Sequence, residues 1–218
     1  MPTPVLFDMD GVILEGPGTV PGTYADAADA ALADLGVDPT PAQRDSLRQH
    51  GLEGVRDCCT ALGIDPDEFW RRKERHASVR THDRLRSGER GRYEDSDVIH
   101  DVTERTTTAL VSNNRHETTT FVAEFYDFPF DAVRGRDPTL EGFRRRKPDP
   151  YYLERTLADL GLEDGIYVGD KPKDVVAGRE AGLETAFVRR PHNRDVELPE
   201  GTTYELESLW TVPDLLEE

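Results

Sequence analysis

The 218-residue chain carries 44 acidic against 27 basic residues, a formal charge of −17 that excludes a surface built to hold phosphate backbones or anionic lipid headgroups. Its hydrophobic fraction of 36% is low, but the apolar runs are separated and periodic, which excludes a disordered chain. Only Lys73, Lys147, Lys171 and Lys173 are lysines, a balance that resembles proteins of salt-loving archaea.

Residues 1–7 lack a charged segment followed by a long apolar one, and no run approaches the roughly 18 apolar residues of a membrane span. Cys58 and Cys59 are adjacent, a spacing unsuited to an ordinary disulfide. These features predict a cytoplasmic protein with reduced thiols and no membrane or nucleic-acid partner; the oligomeric state stays open.

Short apolar runs at Val5 to Phe7, Thr108 to Val111, Asp131 to Val133, Ile166 to Val168 and Thr185 to Val188 read as buried strands. Helical patterns at Glu117 to Tyr126, Tyr151 to Leu160 and Asp174 to Ala181 lie between them, giving the alternation of a parallel α/β sheet. The predicted fold is a Rossmann-like, doubly wound core. Residues 16–92 interrupt it with helix signals only: the stripe Ala27, Ala28, Ala31, Leu32 and Leu35, a capping box at Thr40 to Gln43, and Asp65-Pro66 opening a further helix. Gly36 and Gly63 suit helix stops. Residues 1–15 and 93–218 are thus expected to form the Rossmann-like core, and 16–92 an inserted helical domain.

Four clusters carry chemistry. In Val5-Leu6-Phe7-Asp8-Met9-Asp10-Gly11, an apolar strand delivers two carboxylates one residue apart, which face the same way on extended backbone. One can attack phosphorus while the other gives a proton to the leaving oxygen and takes one from water; a plain strand followed by an Asp-Gly turn is the competing reading. Next, Ala109 to Asn114 ends a strand in Ser112 and Asn113 before a helix, where hydroxyl, amide and backbone N–H groups suit phosphate oxygens, or simply cap that helix.

The third is Arg144-Arg145-Arg146-Lys147-Pro148-Asp149-Pro150, whose Lys147 can neutralise charge on a nucleophile and a transferring phosphoryl group. The fourth is Ile166 to Asp174, in which a strand ends at Asp170 and Asp174 follows at a helix start. Asp8 and Asp170 together suit a hard cation such as magnesium, and Asp174 is either part of that site or a helix cap.

In this order the clusters resemble the haloacid dehalogenase superfamily of phosphohydrolases, in the branch of phosphoglycolate phosphatases and β-phosphoglucomutases, over nearly the whole chain. The resemblance implies Asp8 as nucleophile, Ser112 as phosphate binder, Lys147 as the basic residue, Asp170 with Asp174 as the acidic pair, and a helical cap at 16–92. It also implies Mg2+ on the Asp8 and Asp170 carboxylates and the Asp10 carbonyl, an aspartyl-phosphate intermediate, and a last strand near Tyr204.

The expected activity is hydrolysis of a small phosphorylated metabolite. A phosphosugar mutase, a haloacid dehalogenase and a non-catalytic phospho-ligand binder are the alternatives, the dehalogenase disfavoured because halide needs no proton from Asp10. Residues 71–92 hold nine basic residues against three acids, suited either to clamping an anionic substrate or to pairing with surface acids. His76 and His82 are expected to be ordinary surface residues.

Overall fold

The computed structural model describes residues 2–16, 18–49 and 51–216. The chain divides into two compact units, Met1–Gly18 with Arg90–Arg136 and Arg145–Glu218, and Thr19–Glu89 with Asp137–Arg144.

The first unit is built on strands β1 (Val5–Phe7), β2 (Thr108–Arg115), β3 (Ala132–Arg136), β4 (Ile166–Gly169), β5 (Glu184–Val188) and β6 (Tyr204–Leu206). All pair in parallel in the order β3-β2-β1-β4-β5-β6. The strand order reverses at β1, whose neighbours are β2 on one side and β4 on the other. In open α/β sheets, ligands bind at the carboxyl ends of strands at such a switch point. Val5, Leu6 and Phe7 are all buried, as expected of a central parallel strand with helices over both faces. On one face Leu6, Ala109, Val111 and Tyr167 pack with Tyr152, Leu153 and Leu157 of the helix Tyr151–Leu160.

The second unit is helical: α1 (Pro21–Asp34), α2 (Pro41–Arg48), α3 (Leu52–Ala61), α4 (Pro66–Arg86) and the single turn α5 (Leu140–Arg144). Thr40 and Gln43 make the reciprocal capping box of α2, Asp65 accepts from Glu68 N at 2.7 Å to cap α4, and Gly36 and Gly63 take positive φ just beyond α1 and α3. Ala28, Ala31, Leu32, Leu47, Val55, Phe69 and Trp70 form the core.

Residues 137–144, which the sequence reading left in the Rossmann-like part, pack within this helical unit. Phe143 stands edge-on to Trp70 with ring centroids 4.9 Å apart, and Leu140 N donates to Asp67 Oδ1 at 3.0 Å. Arg90 and Arg92, placed by sequence with the helices, belong to the sheet unit.

The basic helix α4 is matched by acids. Arg72 Nε donates to Glu68 Oε1 at 2.7 Å, Arg71 also pairs with Glu68, His76 lies 2.7 Å from Asp34, and Arg84 reaches Glu89. Lys73 is buried and donates to the Leu47 and Gln49 carbonyls at 2.8 and 2.9 Å, satisfying the end of α2. His82, expected at the surface, is buried.

Candidate active site

Asp8 leaves β1 with its N–H donating to Val168 O of β4 at 2.9 Å, so the first residue past the central strand is fixed against the neighbouring strand end. The chain then turns at Gly11, φ +91°. A Cβ there would fall 2.1 Å from Asp170 Oδ2, so only glycine lets this turn lie against the acid that ends β4.

Lys147 Nζ sits between two carboxylates, 3.0 Å from Asp8 Oδ1 and 2.8 Å from Asp174 Oδ1, and also donates to the Tyr167 hydroxyl. Tyr167 in turn donates to Val111 O at 3.0 Å. Burial raises the Asp8 carboxyl, but Lys147 and Lys171 outweigh it and hold the acid below the usual range. Burial opposes charge on Lys147 too, yet Asp174 and Asp8 keep the ammonium well above its ordinary value. Burial pushes the Tyr167 phenol well up, so this hydroxyl stays protonated.

The lysine is held from behind. Asn113 Nδ2 donates to Lys147 O at 3.0 Å, and Lys147 N donates to Asn113 Oδ1 at 2.8 Å. Arg136 Nε donates to Asn113 O at 2.9 Å. Both ends of the Asn113 carboxamide thus engage the lysine backbone, so the substrate contact expected of this residue would fall to its second Nδ2 hydrogen or its main chain.

Asp8, Asp170 and Asp174 bring carboxylate oxygens within 4.8 Å of one another, all buried. Asp174 does two jobs, Oδ2 accepting from Lys171 N at 3.0 Å at the start of the helix Pro172–Glu180 while Oδ1 meets Lys147. Asp170 Oδ1 and Asp10 O both accept from Lys171 Nζ at 2.9 Å. Burial raises the Asp170 carboxyl, and Asp8 and Asp174 add to the rise while Lys171 opposes it. Three buried carboxylates thus share two ammonium groups, and an all-oxygen donor set with excess negative charge fits a hard divalent cation.

The loop after β5 supports Asp170. His192 Nε2 lies 2.6 Å from Asp170 Oδ2, and Asn193 Nδ2 donates to Asp170 O at 2.8 Å. Arg190 locks this loop in place: its guanidinium grips both oxygens of Asp95 at 2.7 and 2.9 Å, donates to Val12 O at 2.7 Å, and stacks 3.9 Å from the Tyr93 ring centroid.

Asp10 has one hydrogen-bonded oxygen and one beside a guanidinium. Asn114 Nδ2 donates to Oδ2 at 2.9 Å, and Arg90 Nη1 lies 2.8 Å from Oδ1. Ser112 is buried within the second half of β2, its hydroxyl accepting from Asn114 N at 3.2 Å. Asn114, Arg90, Tyr167, Lys171 and His192 were not singled out from sequence. Asn114, Tyr167 and Lys171 stand inside recognised clusters, so their spacing is a usable signal; Arg90 stands in the basic run 71–92 with nothing to single it out, and His192 arrives through tertiary contacts alone.

This geometry matches a known pattern. Residues 5–182 match the family of haloacid dehalogenase-like hydrolases. Pyrophosphatase PpaX of Halalkalibacterium halodurans is 27% identical over 200 residues, 84% of this chain and 82% of that protein. The D-glycero-D-manno-heptose-1,7-bisphosphate 7-phosphatase of Chlorobaculum tepidum is 40% identical over 57 residues, which span 23% of this chain and 29% of that protein. The structure of CbbY from Rhodobacter sphaeroides in complex with phosphate superposes with a TM-score of 0.66 at 18% identity over 100% of both chains, a likeness of fold. With the family match covering every strand from β1 to β4 and all four residue clusters, the chain belongs to the haloacid dehalogenase-like hydrolases.

Proposed function

We propose that the protein is a magnesium-dependent phosphatase of small phosphate monoesters. The observation that carries this reading is Lys147 bridging Asp8 and Asp174 beside Asp170 at the sheet's switch point. Asp8 attacks phosphorus and forms an aspartyl phosphate as the ester oxygen departs with the proton of Asp10. Asp10 then takes a proton from water, whose oxygen attacks the same phosphorus and releases phosphate, restoring Asp8.

Asp8, Asp170 and the Asp10 carbonyl would hold Mg2+, which supplies charge neutralisation at the phosphoryl oxygens when bound. Lys147 balances the charge on Asp8 and on the transferring group. Ser112 binds a phosphoryl oxygen, and Asn113 is a positioning residue for Lys147. Asn114 orients Asp10. A dehalogenase would have no use for that arrangement, because halide leaves without a proton.

The acidic composition and scarce lysine support an enzyme adapted to high salt, and the charge of −17 speaks against a nucleic-acid partner. Among the described residues no helix is long and apolar enough to cross a membrane; with the two free cysteines this supports a cytoplasmic enzyme. The reading is tested by hydrolysis of p-nitrophenyl phosphate with and without Mg2+, beside Asp8→Asn. Activity lost in the variant and on chelation is expected; a wild type inactive across a broad phosphate-ester panel at low and high salt sinks the proposal.

A further inference from the structure

Arg90 is placed as no simple brace would be. Its Nε donates to Glu15 O at 2.8 Å and its Nη2 to Gly16 O at 3.4 Å, which fixes the guanidinium plane on the backbone. The third nitrogen, Nη1, stands 2.8 Å from Asp10 Oδ1, with the two side chains 8% and 14% exposed. Neither Nη1 nor Oδ1 is aligned for a hydrogen bond, so a buried cationic nitrogen retains donor capacity beside the acid. Holding Asp10 does not require it, since Asn114 already grips Oδ2.

On the phosphatase reading above, Asp10 meets the departing oxygen, and attacking and leaving oxygens lie roughly in line through phosphorus. Arg90 therefore lies on the leaving-group side, away from the oxygens of the transferring phosphoryl. A neutral alcohol offers a fixed guanidinium only the departing oxygen itself, which Asp10 already serves. A leaving group that bears its own oxyanion next to the departing oxygen does, whether that anion is a second phosphoryl group or a carboxylate, and the planar fork suits both. We propose that Arg90 is a specificity-determining residue that selects phosphate compounds whose leaving group is anionic beside the departing oxygen.

The test compares kcat/KM of wild type, Arg90→Gln and Arg90→Lys on inorganic pyrophosphate, 2-phosphoglycolate and ethyl phosphate in the presence of Mg2+. Wild type is expected to favour one or both anionic substrates, and the pair distinguishes a phosphoryl from a carboxylate anion. Arg90→Gln should lose about 10- to 100-fold on the favoured one, the range for a hydrogen bond to a charged group, and distinctly less on ethyl phosphate. Arg90→Lys should recover part of the loss.

An equal loss on all three substrates would reduce Arg90 to a brace for Asp10 and overturn the proposal, as would a wild type with no preference for either anionic substrate. A measurement free of folding effects is inhibition of wild type: methylenediphosphonate or phosphonoacetate should bind at least about 10-fold tighter than methylphosphonate. Equal inhibition by all three overturns the proposal. If wild type hydrolyses none of the substrates, p-nitrophenyl phosphate included, the phosphatase reading itself falls.

Discussion

Asn113 and Lys147 are joined by two hydrogen bonds that use both ends of one carboxamide, at 3.0 and 2.8 Å. The ammonium of Lys147, carried on a turn, is thereby aimed by a residue of β2, and a shift of about 1 Å in such a group is enough to cost about 100-fold in rate. Asn113→Ala should lower kcat about 10- to 100-fold while KM moves little. An unchanged kcat in a folded variant would show that Asp8, Asp174 and Tyr167 hold Lys147 without Asn113.

Asp170 stores instability. Its folded carboxyl titrates above the usual 3.8, chiefly from burial, so above that pH the ionised form opposes folding. The sign predicts that Asp170→Asn melts at or above wild type in chelator at pH 7, while the upward shift in melting temperature that Mg2+ gives wild type disappears. Calorimetry or dye-based melting with and without Mg2+ checks both halves. A variant clearly less stable than wild type in chelator would contradict the first.

Asp95 has the opposite sign. Burial raises its carboxyl, but Arg190, Leu209 N and the Ser208 hydroxyl outweigh it and bring it below 3.8. Its contribution is therefore complete above the unfolded value and is lost as pH falls from about 4 through the lower folded value. Asp95→Asn should be less stable than wild type at pH 7, with the gap closing below pH 4. A gap that is constant with pH would remove Asp95 from the acid limb.

Self-repulsion at a charge of −17 opposes compaction and is screened by salt. Raising KCl from about 0.1 to 1 M shortens the Debye length from about 10 to 3 Å and should raise the melting temperature. A fall over that range would argue against adaptation to salt.

Five of the six strands were legible because each contains a short apolar run, and β1 and β4 were found within a residue of their ends, whereas β6, Tyr-Glu-Leu, was expected only from the family resemblance. Asp8 and Asp170 follow from strand ends, while Lys147 and Asp174 took their roles from the family resemblance, and the structure brings all four together. What sequence could not divide was Ser112-Asn113-Asn114. All three read as phosphate-facing polar groups, but Asn113 turns to Lys147 and Asn114 to Asp10, and only the chain's three-dimensional path decides between them. Arg90 was lost in a basic run whose neighbours pair with helix acids. Residues 137–144 were missed because a single turn has no periodicity to read; Phe143 is explained by Trp70, far away in sequence.

The four lysines have a practical corollary. Lys73 and Lys147 are buried, Lys171 and Lys173 only half-buried, so every highly exposed cationic side chain belongs to a residue other than lysine. Amine-directed reagents that ordinarily decorate a protein's exterior would here report on its catalytic centre. Lys173, whose amine burial draws below its ordinary value, is the side-chain amine most open to such acylation, whereas Lys171 is held as the ammonium by Asp8 and Asp170 against burial and gives up its Asp10 and Asp170 contacts only if a cation takes them. Mass-spectrometric footprinting with and without Mg2+ thus becomes a direct readout of occupancy at the cleft.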